Sequence, residues 1–405
     1  MNTDLSITLK CRNLQKEGVI TLPSSKSISN RALIVKALCS TPSTLYNLSE
    51  ARDTQTMIAL LKDDNDVWDV KDAGTTMRFL TAFATITHQK KILTGTPRMQ
   101  KRPIKILVDA LRQLGAEIDY KAQEGYPPVE IKSFEQKINH LSIRGDISSQ
   151  YISALLMIAP ALPKGLTLTL EGTIGSRPYI EMTLAIMQRF GVSHTWDNST
   201  ITIAPQPYSS TELIVEPDWS AASYWYSFVA LSNNSTVMLQ GLTENSLQGD
   251  SILVKFMTQL GVSTTFNDEG ALLSKCDHQS SFEYDFTDCP DLAQTIAVLC
   301  AVKKIKVKFT GLESLKIKET DRVLALQNEL SKIGASLIEK DETWHLTPSE
   351  KLPPAVKINT YEDHRMAMAF APLCLVMDVS FDDKTVVRKS YPRFWEDVAS
   401  TGLFQ

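Results

Sequence analysis

LRQLGAEI (111–118), MQRFGVSHT (187–195), MTQLGVSTT (257–265) and LSKIGASL (330–337) are four versions of one pattern. Each reads as the last turn of an amphipathic helix, a glycine able to take the left-handed conformation that closes it, and a strand rich in β-branched residues. The four glycines, Gly115, Gly191, Gly261 and Gly334, follow one another at intervals of 76, 70 and 73 residues. Helix, glycine, strand is therefore a recurring unit, and a recurring unit of this length predicts an α/β protein built from modules.

A second series runs with almost the same period. SSKSISNRALIVKAL, AGTTMRFLTAFA, SSQYISALLMIA, DWSAASYWYSFVAL, DLAQTIAVLCAV and EDHRMAMAFAPL each begin polar and continue as an apolar helix-like stretch. With Lys26, Gly74, Ser148, Asp218, Asp291 and Asp363 as markers, the intervals are 48, 74, 70, 73 and 72 residues. Two kinds of helix per module, with strands between, predict six α/β modules, three per domain. The short first interval places a missing stretch between Lys26 and Gly74.

At 405 residues the chain exceeds what one core serves, and two domains are expected. Charged residues make up 22% and hydrophobic residues 43%, and no apolar run approaches the roughly 18 residues of a membrane span. The opening MNTDLSITLK has neither signal-peptide nor transit-peptide character, so a cytoplasmic protein is expected. Six scattered cysteines without a CxxC pair argue against a disulfide framework and against a zinc site. A net charge of −4 offers nucleic acid no general attraction. Anion binding must come from local clusters.

Such clusters lie at the module starts. A helix N-terminus presents unpaired N–H groups and partial positive charge, so Ser, Thr, Gly and Lys there form an anion site. SSKSISNR places Lys26, Ser27 and Arg31 on the first turns of a helix. RMQKRP (98–103), SRPY (176–179), KIKETDR (316–322), EDHR (362–365) and RKSYP (388–392) add a cation each to a turn or helix start. Arginine holds carboxylate or phosphate oxygens bidentately and lysine acts as a point charge, so the set suits small polyanions. For any single cluster, a surface ion pair is the plainer role. Two carboxylates sit among the cations: Asp291, which as a helix start would serve as a cap, and Glu319 between Lys318 and Arg322. The sharper reading gives them proton transfer.

SKSxSNR, AGTTMR, SSQ, KETDR and DHRMAM, in this order and spread over nearly the whole chain, resemble the 3-phosphoshikimate 1-carboxyvinyltransferase (EPSP synthase) family of enolpyruvyl transferases. The resemblance implies a two-domain inside-out α/β barrel, each domain a threefold repeat of a β-α-β-α-β-β unit. One domain would hold 1–24 with 217–405 and the other 25–216, with the active site in the cleft between them. It implies transfer of the enolpyruvyl group of phosphoenolpyruvate to the 5-hydroxyl of shikimate 3-phosphate, in aromatic amino-acid biosynthesis. A monomer without metal or cofactor is implied. Carried over motif by motif, Lys26, Ser27, Arg31, Ser148, Ser149, Gln150, Ser176, Asp291 and Lys318 match shikimate 3-phosphate contacts. Lys26, Gly74, Arg102, Gln150, Arg322, Arg365 and Lys389 match phosphoenolpyruvate contacts. The catalytic candidates are Asp291 as base for the hydroxyl, Glu319 for the proton at C3, and Lys26 for developing charge.

Two positions depart from the family pattern. Asp72 stands where many relatives have Asn, and Ser314 where some place an Asn that contacts shikimate. The stretch from Ala59 to Asp72 is also shorter than in many relatives. Two rival readings share the repeat architecture: an enolpyruvyl transferase acting on UDP-N-acetylglucosamine, which uses a cysteine in a glycine-flanked loop not seen here near Arg98, and a non-catalytic nucleotide or RNA-end binding protein.

Overall fold

The computed structural model describes residues 5–12, 17–146 and 148–403. The chain divides into two compact units, one of Ser24–Val215 and one that joins the residues up to Pro23 to those from Glu216 onward.

In the Ser24–Val215 unit six helices alternate in role: α1 (Lys26–Leu38), α2 (Arg52–Leu60), α3 (Gly74–Ile86), α4 (Lys105–Leu114), α5 (Ser149–Ile158) and α6 (Arg177–Arg189). The helices α1, α3 and α5 touch one another. Burial on every side explains their composition. All residues of α3 from Thr76 to Thr85 are buried, and the Thr81 and Thr85 hydroxyls donate to carbonyls one turn back at 2.7 and 2.8 Å. A helix apolar all round is stable only inside. By contrast α4 buries one stripe, Leu107, Leu111 and Leu114 among it.

The strands repeat a single order. Val67–Asp69 pairs in parallel with Lys91–Thr94, which runs antiparallel to Val129–Phe134, itself paired with Ala116–Tyr120. His140–Arg144, Leu166–Glu171, Thr200–Ile203 and Thr195–Asp197 repeat that order. Along His140–Arg144 exposed and buried residues alternate, so one face of the sheet packs on helices and the other meets water. Each full module is thus β-α-β-α-β-β. The first module stops after α2 without a hairpin, which is the stretch missing from the 48-residue interval; among the described residues its strand Thr44–Tyr46 pairs only with Glu212–Ile214.

The second unit follows the same plan with α7 (Trp219–Leu231), α8 (Leu253–Leu260), α9 (Ala293–Val302), α10 (Arg322–Lys332), α11 (His364–Phe370) and α12 (Phe394–Val398). Here α9 touches both α7 and α11. Trp219, Tyr224, Trp225, Tyr226 and Phe228 of α7 are all buried. Its first sheet borrows Glu17–Thr21, which lies parallel to Thr236–Gln240 and supplies the strand that a module starting at α7 lacks. The chain crosses between units at two points, after Pro23 and after Val215.

All four glycines of the opening pattern have positive φ, from 80° to 119°. At Gly115 a methyl group would also lie 1.9 Å from the Glu135 carbonyl oxygen, so shape as well as dihedral demands glycine. Among the described residues no helix is long and apolar enough to cross a membrane.

Candidate active site

The first set of predicted residues gathers around the starts of α1, α3 and α5. Ser25 caps α1 and Lys26 opens it. The Lys26 Nζ lies 3.1 Å from Asp53 Oδ2, and the buried Asp53 Oδ1 has no hydrogen-bond partner among the described residues. Arg31, five residues on, does not point away from the helix start. Its guanidinium turns back to donate to the Ser27 carbonyl at 3.0 Å and is held by Thr183 Oγ1 at 2.7 Å, Ser153 Oγ at 3.1 Å and the Tyr179 carbonyl at 3.3 Å. These partners are all neutral oxygens, and burial pulls the Arg31 pKa down to about 10. One return bond therefore moves a cation from the second turn of α1 toward Lys26.

Gly74 opens α3 beneath the Arg102 guanidinium, where a methyl group would stand 2.5 Å from one guanidinium nitrogen. Ser148 caps α5 through the Gln150 N–H, and the Gln150 side-chain amide donates to Thr75 Oγ1 at 3.3 Å. The motifs AGTTMR and SSQ are joined by that bond. Ser149 is buried on the first turn of α5, while Ser176 precedes α6 with φ 54°. Asp72, the departure from the family pattern, lies 2.7 Å from the Arg52 guanidinium and is neutralised there.

In the other unit a buried ion network spans the starts of α9, α10 and α11. Arg322 is 2% exposed and meets three carboxylates: Asp363 through Nε at 2.7 Å, Glu319 at 2.9 Å and Asp291 at 3.1 Å. Arg365 donates to Asp291 at 2.7 Å, and the Lys389 ammonium lies 3.2 Å from Glu319. Asp363 caps α11 by accepting from the Arg365 N–H. Burial opposes the charge on Asp291, but Arg365, Arg322 and Lys318 overcome it, and its pKa lies well below the usual carboxylate range. These carboxylates raise the pKa of the desolvated Arg322. Ser314 sits half-buried in the short 3₁₀ segment before Lys318.

Motif reading missed the part that four carboxyl groups play in organising these cations. Asp53 holds Lys26, Asp363 braces Arg322, and Glu329 grips the loop before α11. The fourth is Asp250. It accepts from Ser220 Oγ, and Ser220 in turn accepts from Arg365 at 3.4 Å. Burial, then the charge of Asp291, pushes the Asp250 pKa up to about 7. The folded state thus keeps a proton between about pH 4 and 7 that the unfolded chain has lost, so stability falls as pH rises through that window. Asp250→Asn should remove this loss, on the order of 2–4 kcal/mol above pH 7. Thermal melts at pH 8 should show the variant several degrees more stable than the parent, and melts at pH 4 should show little difference. An equal shift at both pH values would contradict a titrating Asp250.

Among the described residues no group of three or more His, Cys, Asp or Glu side chains is placed to hold a metal ion. What the two sets offer is cation density at helix starts, with carboxylates held within bonding distance of it.

The solved EPSP synthase of Acinetobacter baumannii shares this fold, with a TM-score of 0.80 and 19% identity over 98% of each chain. The fold is that of a two-unit inside-out α/β protein, with cations gathered at its helix starts. The family model for EPSP synthase (3-phosphoshikimate 1-carboxyvinyltransferase) matches residues 13–63 and 60–398. A 3-phosphoshikimate 1-carboxyvinyltransferase of Bacteroides fragilis is 48% identical over 96% of both chains, and one of Idiomarina loihiensis is 36% identical over 94% of this chain. The chain belongs to the EPSP synthase family.

Proposed function

We propose that the chain transfers the enolpyruvyl group of phosphoenolpyruvate to the 5-hydroxyl of shikimate 3-phosphate, releasing phosphate, as EC 2.5.1.19 in the shikimate pathway. The observation that carries this reading is the 48% identity to a named 3-phosphoshikimate 1-carboxyvinyltransferase over 96% of both chains. Lys26, Ser27, Arg31, Ser148, Ser149, Gln150 and Ser176 contact shikimate 3-phosphate, with Asp291 and Lys318. Gly74, Arg102 and Gln150, with Arg322, Arg365, Lys389 and Lys26, contact phosphoenolpyruvate.

The chemistry follows from the charges. Two polyanions must be brought together, and fixed cations offset their repulsion and orient them. Asp291 takes the hydroxyl proton as the oxygen bonds to C2, while Glu319 delivers a proton to C3. Elimination then returns a C3 proton to Glu319 and expels phosphate, which carries off the hydroxyl proton held by Asp291, with Lys26 stabilising the charge that develops. Asp291 alone is a weak base because Arg365 and Arg322 depress its pKa. Phosphoenolpyruvate bound to those arginines shares their field, raising the basicity of Asp291 when it is needed. The protein acts as a cytoplasmic monomer on small molecules, without nucleic acid.

A phosphate-release assay tests the acceptor. Release should require shikimate 3-phosphate with phosphoenolpyruvate, and UDP-N-acetylglucosamine should not replace it. Turnover with the nucleotide sugar would assign the chain to the rival transferase.

A further inference from the structure

We propose that Glu329, with Tyr361, is a positioning residue for Arg365, setting the start of α11 so that its arginine meets phosphoenolpyruvate; this rests on the reading of Arg365 given above. Glu329 lies seven residues after Arg322 on α10, two turns along the same face. Both residues grip the segment between the strand Ala355–Ile358 and α11. Arg322 holds Asp363 at its end. Glu329, fully buried, accepts from the Asn359 N–H at 3.1 Å, the Tyr361 hydroxyl at 2.7 Å and Lys332 at 2.6 Å.

The segment needs such a grip. Tyr361 and Glu362 both take φ of 54°, a left-handed conformation that side chains disfavour and that surrounding structure must impose. Asp363 follows directly, and its carboxylate caps α11 through the Arg365 N–H at 2.9 Å. A shift in the turn therefore moves Asp363, and with it the backbone that carries Arg365. A carboxylate is the group that fits at 329, because every neighbour of its oxygens is a donor. Glutamine would turn an N–H₂ toward one of them.

The gentler test is Tyr361→Phe, which removes one hydroxyl and leaves the buried carboxylate its other two donors. Calorimetric titration of phosphoenolpyruvate into enzyme saturated with shikimate 3-phosphate should show affinity lower by about tenfold. Affinity of the free enzyme for shikimate 3-phosphate should stay within about twofold. Glu329→Gln should weaken phosphoenolpyruvate further, and amide hydrogen exchange should quicken at Arg365 and Met366 in both variants. A purely structural grip would lower the melting temperature but leave the ratio of the two affinities unchanged, which would overturn the inference. Arg365→Ala, measured alongside, separates the two failures: if it weakens phosphoenolpyruvate and neither grip variant does, positioning is wrong; if it too has no effect, the role of Arg365 is wrong and the inference falls with it.

Discussion

Asp291→Asn should lower turnover by roughly 10²–10⁴ while leaving the affinity for shikimate 3-phosphate within a few-fold of the parent. The substitution keeps the shape of the side chain and the acceptor oxygen that faces Arg365 or Arg322. What it removes is the ability to take a proton. It also removes a negative charge from between two arginines, so phosphoenolpyruvate should bind the variant as well as or better than the parent. Steady-state kinetics should therefore show a collapsed kcat with an unchanged or lower KM for phosphoenolpyruvate. Near-normal turnover would exclude Asp291 as the base; an equal loss in kcat and in both affinities would point to a disturbed fold instead.

Arg365→Ala should act in the opposite way, on binding before chemistry. Its guanidinium is 8% exposed as a residue, lies 2.7 Å from Asp291, and reaches Tyr224 and Ser220 at 3.4 Å. Truncation takes away one fixed cation and leaves the half-buried Asp291 facing Arg322 and Lys318 alone. Loss of one partner from such a pair costs about 2–5 kcal/mol, so phosphoenolpyruvate affinity in the binary complex should fall by roughly 10²-fold or more. Shikimate 3-phosphate binding to the free enzyme should fall far less. The order of addition should matter as well, with phosphoenolpyruvate binding the complex with shikimate 3-phosphate more tightly than the empty enzyme. Equal losses for both ligands, or phosphoenolpyruvate binding equally well to empty and binary enzyme, would contradict this division of the site.

The modular fold was legible because its signals are local. Gly115, Gly191, Gly261 and Gly334 end or follow their helices with positive φ, and a left-handed helix end marks itself in sequence wherever glycine is the cheapest residue for it. The apolar helices declared their burial because, like α3, they have no polar face. The strand Glu17–Thr21 did not reveal its place. Its partners at Thr236–Gln240 are more than two hundred residues away, and nothing in a five-residue strand encodes which sheet it joins.

The candidate site divides the same way. Cations were readable because Lys26, Arg322 and Arg365 stand in distinctive motifs at helix starts. The carboxylates that organise them were harder, since the role of an acid depends on which cation the fold brings to it. Asp363 lies inside the quoted EDHR, where it served only to mark the start of a module; the structure uses it as a cap and, through its other oxygen, as the partner of Arg322. Asp250 and Glu329 carry no motif. Their partners, Ser220 and Tyr361, are 30 and 32 residues distant.

In the proposed transfer phosphoenolpyruvate is attacked at C2 and loses its phosphate from that carbon, which breaks the carbon–oxygen bond. Phosphoenolpyruvate carrying ¹⁸O in the bridging position, turned over with shikimate 3-phosphate, should therefore release phosphate that contains the label, with an enolpyruvyl ether formed on the 5-oxygen. Label retained in pyruvate, with no ether, would mean that the phosphorus–oxygen bond was cleaved instead and would contradict enolpyruvyl transfer outright.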